Sequence, residues 1–374
     1  MIRTFHPVGQ GAFYTEIHEY SGQTFTIVYD CGSGKGSRTP LVIKKEIETT
    51  FTNHRVIDVL FISHFHADHI NGINFLKQHC DIKCVVIPLL SPKAVILTKL
   101  YNLIEKDFSE TEIIDNPSGY FGEGTTIIRI EERNNNENQN NINPDNPIVL
   151  PEAQSTTYPS GSVFKSTIND DWFFIPYNYK QNELIQLFEA YLLTNYKISL
   201  EDIKTTDNIL EYKSNLRNAY QLVNKNLNNN TLILYSGKKL SNKLKLNIPL
   251  RCLNFQNPIC QIRTIKLIRI LQKVQSGCLY TGDIDLNQNN IVSEIKHHYS
   301  DFLPFIGTIQ IPHHGSHLSY NSDIIEKEIV HAIISYGENT YGHPSEWVLH
   351  YLCQKKILVH HVTSLSISKY TQHN

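Results

Sequence analysis

Three histidines and an aspartate lie within six consecutive positions of this 374-residue chain. Residues 64–69 read His-Phe-His-Ala-Asp-His and follow directly on an apolar run at 56–62. Imidazole nitrogens and carboxylate oxygens are common protein ligands of zinc and similar divalent ions. Two such ions held a few ångströms apart can lower the pKa of a water that they share. The cluster therefore predicts a site for a pair of divalent metal ions.

Three later apolar runs also end in residues that can bind a metal ion or move a proton. Asp283 follows the first run, the pair His313 and His314 follows the second, and His343 follows the third after a short loop. Strand ends of this kind converge on one edge of an α/β fold. A carboxylate at such an edge can bridge two metals, and a histidine there can protonate a leaving oxygen.

The elements that would carry these residues alternate between strand and helix. We predict strands at 11–18, 24–32 and 84–88 and a helix near 41–51, from the apolar periodicity and the glycine-rich turns between them. This alternation indicates a layered α/β fold.

The middle of the chain has a different composition, because residues 133–141 are an asparagine-rich, low-complexity stretch that has little to bury. We therefore divide the chain into a first half of the core at 1–130, an insertion at 131–226 and a second half of the core at 227–374. The insertion combines the asparagine-rich loop, which we expect to be flexible, with helical spacing of apolar residues and a strand at 172–177.

A basic excursion at 238–276 contains nine lysines and arginines. Ordinary surface solvation explains such a segment, and so does a patch for a phosphate backbone. The net charge of −2 and the pI of about 6.8 argue against binding of nucleic acid or membrane by the whole surface.

The seven cysteines are odd in number and form no Cys-x-x-Cys pair, which favours reduced thiols over a disulfide framework. The sequence has neither a stretch of 18 apolar residues nor an apolar signal-peptide core at its start. We therefore expect a cytoplasmic protein that does not contact a membrane.

Taken together, these motifs resemble the metallo-β-lactamase-fold hydrolase superfamily. Within it the chain is most similar to the hydrolase domain of ComEC-type DNA-uptake proteins and to phosphorylcholine esterases. The matching segments are 8–11, 29–32, 63–69, 280–283, 311–316, 334–337 and 341–344. The resemblance implies a four-layer αββα sandwich, here with a partly helical insertion.

The resemblance also implies roles for individual residues. His64 and His66 would bind the first metal, Asp68 and His69 the second, and Asp283 would bridge the two. The cofactors would be two divalent ions, Zn²⁺ or Mn²⁺. Iron-based redox members of the fold replace the second histidine of the cluster by a carboxylate, so the histidine at position 66 argues for hydrolysis.

The histidines near the end of the chain have two possible roles, metal ligand and proton donor. One of His313 and His314 would complete the second metal site, while His343 would be a ligand or a proton donor. Asp68 could orient the nucleophile, so Asp68, His314 and His343 are the catalytic candidates. Asp30 is expected to accept a hydrogen bond from a ligating histidine.

One departure from the superfamily pattern concerns a further metal-binding histidine between the first cluster and the bridging aspartate. No histidine lies between His79 and His297, and the corresponding place is at 229–231. The DNA-uptake branch also tends to lack this histidine. Fewer imidazoles suit a harder ion, which makes manganese an alternative to zinc.

The resulting hypothesis is a phosphodiesterase, a nuclease acting on DNA through hydroxide that a metal pair activates. The alternatives are hydrolysis of a small phosphodiester, such as a nucleotide messenger or a phosphocholine ester, and a non-catalytic module that binds protein partners through 131–226. The expected partner is thus nucleic acid or another phosphodiester.

Overall fold

The computed structural model describes residues 1–34, 39–105, 111–133, 142–180, 182–203, 206–223, 230–238, 275–288, 290–340 and 342–373. The basic excursion at 238–276 and the asparagine-rich stretch at 133–141 lie almost wholly outside these residues.

The strands in chain order are β1 Ile2–Phe5, β2 Phe13–Tyr20, β3 Gln23–Cys31, β4 Val56–Ile57, β5 Val59–Phe61, β6 Asp81–Ile82, β7 Cys84–Pro88, β8 Thr126–Ile130, β9 Ile148–Leu150, β10 Thr156–Tyr158, β11 Phe164–Ser166, β12 Trp172–Lys180, β13 Asn230–Lys238, β14 Gly277–Tyr280, β15 Ile306–Gln310, β16 His331–Ser335, β17 Leu358–Val362 and β18 Tyr370–His373.

The helices are α1 Thr39–Thr50, α2 Ala67–Ile70, α3 Ile73–His79, α4 Pro92–Glu105, α5 Glu112–Asp115, α6 Pro117–Phe121, α7 Asn182–Tyr196, α8 Thr206–Glu211, α9 Lys213–Val223, α10 Ile291–His298 and α11 Glu346–Gln354.

Two eight-stranded sheets form the centre of the molecule. The first has the order β10-β8-β7-β5-β3-β2-β1-β18, and the second has the order β17-β16-β15-β14-β13-β12-β11-β9. In the first sheet, β3, β5, β7, β8 and β10 run parallel, and in the second so do β14, β15, β16 and β17. The carboxyl ends of parallel strands lie at one edge of a sheet, where the loops that follow them can converge.

The inner faces of the two sheets pack on each other through a buried aromatic stack. The rings of Tyr29 and Tyr280, from opposite sheets, lie 4.8 Å apart at 21°, and Tyr14 stacks on Tyr280 at 6.0 Å. Beside them Arg3 Nε donates to Glu16 Oε1 over 2.7 Å, and both side chains are buried. Paired charges of this kind can be buried because each satisfies the other.

Helices cover both outer faces, which confirms the predicted four-layer αββα sandwich. The first sheet packs on α1, α3 and the short helix α2, and the second packs on α10 and α11. A further buried cluster joins α4 to α7, α8 and α9. Among the described residues, no helix is both long and apolar enough to span a bilayer.

The segment assigned to the insertion contributes to the core as well. Strands β9, β11 and β12 lie in the second sheet and β10 lies in the first, whereas the helical part comprises α7, α8 and α9. The insertion at 131–226 is therefore strand-forming in its first half, and its boundaries stay a prediction. The described cysteines are free thiols, four of them buried and Cys353 exposed.

Candidate metal centre

The histidine cluster lies in the turn between β5 and α2, at the carboxyl end of the first sheet's parallel strands. His64, His66, Asp68 and His69 are all at most 5% exposed. His66 is the N-cap residue of α2, so Asp68 and His69 fall within that helix's single turn. The turn thereby buries four polar side chains together, an arrangement that requires partners for each.

Asp30, at the end of β3, holds this turn in place through three hydrogen bonds. Its Oδ1 accepts the backbone N–H of Ser63 at 2.6 Å, and its Oδ2 accepts the Ser63 hydroxyl at 2.6 Å and His69 Nδ1 at 2.8 Å. Its φ of 56° is in the left-handed region. The hydrogen bond expected between Asp30 and a histidine of the cluster is thus present. Burial raises the pKa of Asp30, while contacts with His69 and Ser63 oppose that rise.

A hydrogen bond at Nδ1 directs Nε2, the opposite ring nitrogen, into the site in His64 and His314, as the bond to Asp30 does in His69. His64 Nδ1 lies 2.9 Å from Ser63 Oγ, which accepts because its own proton goes to Asp30. His314 Nδ1 donates to Ser335 O at 2.8 Å. Among the described residues the buried Nε2 atoms of His64 and His314 have no hydrogen-bond partner.

Asp283 follows β14 in a loop that Gln310 holds. Gln310 Oε1 accepts the backbone N–H groups of Thr281 and Gly282, each at 2.8 Å, and its Nε2 donates to Gly282 O at 3.0 Å. Gly282 has a φ of 56°, and a Cβ there would lie 2.7 Å from the methyl group of Thr231. The loop is therefore fixed on both sides.

Two overlapping groups of donor atoms result. The first is His64, His69 and Asp283, and the second is Asp68, His69 and His314; within each group the donor atoms lie within 4.8 Å of one another. His69 Nε2 is 3.3 Å from Asp283 Oδ1, and His314 Nε2 is 3.6 Å from Asp283 Oδ2.

This donor set fits divalent cations. A buried polar atom without a partner costs about 1–3 kcal/mol, and a cation would satisfy the Nε2 atoms of His64 and His314. Mixed imidazole and carboxylate ligands suit zinc, and the carboxylates suit manganese as well. Burial lowers the pKa of His64, whereas Asp283 and Asp30 outweigh burial to raise the pKa of His69.

Two of the predicted ligands lie outside both donor groups. His66 is buried, but its ring stacks on Tyr101 at 3.9 Å. His313 is partly buried, and its Nδ1 lies 2.9 Å from Ser319 Oγ. Of the pair at 313 and 314, the geometry places His314 among the donors.

His343 lies at the rim of the site, with its ring 5.6 Å from that of His313. Burial lowers the pKa of His343 to about 4, so its imidazole is neutral at neutral pH in the metal-free protein. Its role as ligand or proton donor stays a prediction.

The sequence predicts 229–231 as the place of the further histidine, and Thr231, at the start of β13, is the residue of that place whose side chain the structure describes. Its side chain is buried beside Gly282, and the next residue, Leu232, donates its N–H to Ser63 O at 2.7 Å. The side chain of Thr231 therefore lies beside the candidate site, and a threonine supplies no nitrogen ligand.

The sequence did not predict that Gln310 and Asn102 support the candidate site. Gln310 had a recognisable signal, because it is a polar residue between Ile309 and Ile311 in the segment that leads into His313 and His314. Asn102 had no such signal, since it lies in α4 and reaches the histidine turn only in the folded chain, through hydrogen bonds with Phe65 O and Ala67 N.

Residues 17–95, which include the histidine turn, match the family model of the metallo-β-lactamase superfamily. The chain has the metallo-β-lactamase fold. The match and the two-sheet architecture support a place in that superfamily, whose members are mostly metal-binding hydrolases. No curated protein sequence matches the chain.

Three solved structures are similar to the chain at low identity. The metallo-β-lactamase fold protein YhfI from Bacillus subtilis is 8% identical, with 99% of both chains covered and a TM-score of 0.39. A diphosphatase from the PhnP family is 9% identical, over 89% of this chain and 86% of that one, with a TM-score of 0.35. A long form RNase Z from yeast is 8% identical, over 91% of this chain and 38% of that one, with a TM-score of 0.34.

Proposed function

We propose that this protein is a metal-dependent phosphodiesterase, a nuclease acting on DNA, similar to the hydrolase domain of ComEC-type proteins. The observation that carries the proposal is the pair of overlapping donor groups that share His69. Two divalent ions, zinc or manganese, would be held here: His64 would bind one, Asp68, His69 and His314 would bind the other, and Asp283 would be a ligand of both, since its oxygens lie 3.3 Å from His69 Nε2 and 3.6 Å from His314 Nε2. Such ions supply Lewis acidity and lower the pKa of bound water.

The chain's own residues would prepare the site for this chemistry. Asp30 and Ser63 fix the rings of His64 and His69 so that Nε2 faces inward. Asp68 would orient a water molecule by accepting a hydrogen bond from it.

The leaving oxygen of a phosphodiester needs a proton. His313 and His343 lie together at the rim of the donor groups. Burial keeps His343 neutral at neutral pH, so either imidazole would first take up the proton that the attacking water releases and then deliver it there.

DNA is favoured over other phosphodiesters by two features of the chain. Thr231 stands where a further histidine would be expected, a departure that the DNA-uptake branch shares. The nine basic residues at 238–276 offer a source of phosphate contacts.

The proposal is tested by loading the protein with Mn²⁺ or Zn²⁺ and incubating it with single-stranded, duplex and supercoiled DNA, and separately with bis-p-nitrophenyl phosphate. We expect cleavage of DNA that chelation abolishes. Turnover of the small ester alone would replace the nuclease proposal by a small-phosphodiester hydrolase, and turnover of neither substrate would favour a binding module.

A matched pair of variants assigns the activity to the site. Asp283→Asn should lower kcat by a factor of at least about 100, because it removes a charged donor shared between the ions. Asp58→Asn is the control, since Asp58 accepts a hydrogen bond from Thr26 N at 2.7 Å at the opposite end of the same sheet. Full activity in Asp283→Asn would refute the site assignment.

A further inference from the structure

Asn102 on α4 forms hydrogen bonds on both sides of His66. Its Nδ2 donates to Phe65 O at 2.6 Å, and its Oδ1 accepts the N–H of Ala67 at 3.1 Å. The side chain is completely buried. The side-chain amide of Asn102 thus bonds to the main chain on either side of His66. It pairs with the backbone of the histidine turn as a neighbouring strand would.

The residue before it, Tyr101, contacts the side chain of the same histidine. The rings of Tyr101 and His66 stack at 3.9 Å with an interplanar angle of 28°. His66 also packs edge-on against His64 at 4.6 Å. Two consecutive residues of α4 therefore restrain both the main chain and the ring of His66.

Helix α4 is itself held by the helical layer behind it. Its buried Leu97 and Leu100 pack with Phe188 of α7 and Leu216 of α9 in one apolar cluster. Ion pairs join Lys93 to Glu189 on α7 and Lys99 to Asp115 on α5. The helices of the 131–226 segment thus contact the candidate site through α4.

We propose that α4 is the positioning element of the histidine turn, with Asn102 and Tyr101 as positioning residues that set the place of His66 beside the two donor groups. The helices α7 and α9 support α4 in this position. The metal-binding part of the proposal rests on the proposed function, whereas the restraint on the turn does not.

The first test measures the turn in the metal-free protein. Amide hydrogen exchange at Ala67 should be about fivefold faster in Asn102→Ala, the factor that one hydrogen bond contributes. The control is Asn178→Ala, since Asn178 is also fully buried and donates to backbone carbonyls, at Leu89 and Ile130, without touching the turn. Unchanged exchange in Asn102→Ala, or equal acceleration in the control, would overturn the proposal.

The second test measures metal affinity and the absorption spectrum of the Co²⁺-loaded protein. Asn102→Ala should weaken Co²⁺ binding about tenfold and change the d–d bands, while Asn178→Ala leaves both unchanged. Tyr101→Phe keeps the stacked ring and should bind as wild type, and Tyr101→Ala should not. Equal affinity in Tyr101→Ala and wild type would refute the role of the stacked ring.

If Asn102→Ala does not fold, Asn102→Ser replaces it in both tests. We expect the same faster exchange at Ala67 and the same weaker Co²⁺ binding. A wild-type protein that binds no metal would refute the proposed function, but the exchange experiment would still decide whether Asn102 restrains the turn.

Discussion

Replacing Asp30 by asparagine should separate the folding role of this residue from its effect on metal binding. The asparagine is nearly isosteric and tolerates the φ of 56° found at this position. Its amide nitrogen, however, cannot accept the hydrogen bonds that Oδ2 takes from the Ser63 hydroxyl and from His69 Nδ1.

The expected response is a change of tautomer at His69. Asp283 and Asp30 outweigh burial to raise the pKa of His69, and loss of the Asp30 carboxylate lowers that pKa again. The neutral ring without an acceptor at Nδ1 then keeps its one proton at Nε2, which lies 3.3 Å from Asp283 Oδ1 and faces the donor groups. A protonated Nε2 cannot bind a metal ion. Loss of the acceptor behind a ligating histidine typically costs 10–100-fold in metal affinity, about 1.4–2.7 kcal/mol.

The stability of the fold should change less than the hydrogen bonds alone suggest. Each bond to a charged group contributes about 1.5–3 kcal/mol, but removing the buried charge offsets part of that loss. We expect Asp30→Asn to unfold with a free energy about 1–2 kcal/mol below wild type.

Competition titration against a chelator measures the affinity, urea unfolding measures the stability, and ¹⁵N NMR of the imidazoles reports the tautomer of His69. Asp58→Asn is the control, because it changes a partly buried carboxylate far from the turn. Metal affinity within twofold of wild type, with His69 still protonated at Nδ1, would refute this reasoning.

Three further outcomes follow from packing and protonation. Gly282→Ala should cost at least about 1–2 kcal/mol, because its φ is 56° and a Cβ would lie 2.7 Å from a neighbouring methyl group, whereas Gly124→Ala has open space and should be nearly neutral; thermal denaturation compares them. Phe188→Ala should cost about 3–5 kcal/mol in urea unfolding, against about 0.5 kcal/mol for the exposed Leu187→Ala, and similar losses would contradict the buried cluster behind α4. Burial lowers the pKa of His298 from 6.5 to about 3, so the unfolded chain binds the extra proton between these values. Its contribution to stability is complete above pH 6.5 and is lost as the pH falls toward 3, at about 1.4 kcal/mol per pH unit. His298→Asn should remove that part of the slope, and an unchanged pH profile would contradict it.

The sequence was sufficient to predict the layered fold and the strands that carry the site. Strand–helix alternation predicted a layered α/β fold, and the αββα sandwich followed from the resemblance to the metallo-β-lactamase fold. The strands β2 and β3 and the helix α1 lie within a few residues of their predicted places. Apolar periodicity is a local signal and survives in the folded chain.

The sequence could not predict how the side chains of the site are arranged in three dimensions. The resemblance gave His66 and His313 the same standing as His64 and His314; in the structure the ring of His66 stacks on Tyr101 and His313 Nδ1 contacts Ser319 Oγ, and their roles as ligands stay predictions. Tyr101 comes from a distant part of the chain, so no local pattern reveals its contact with His66, whereas Ser319 lies only six residues after His313. The strands β9 to β11 were hidden for a related reason, since three-residue strands beside a low-complexity loop show little periodicity, whereas β12 confirms the strand predicted at 172–177.

The most direct test of the central claim is the metal content of the purified chain. After loading with Zn²⁺ or Mn²⁺ and removal of free ion, elemental analysis should give about two ions per chain for wild type. Asp283→Asn should hold fewer, because Asp283 lies close to both His69 and His314. One ion or none per wild-type chain would contradict the paired site.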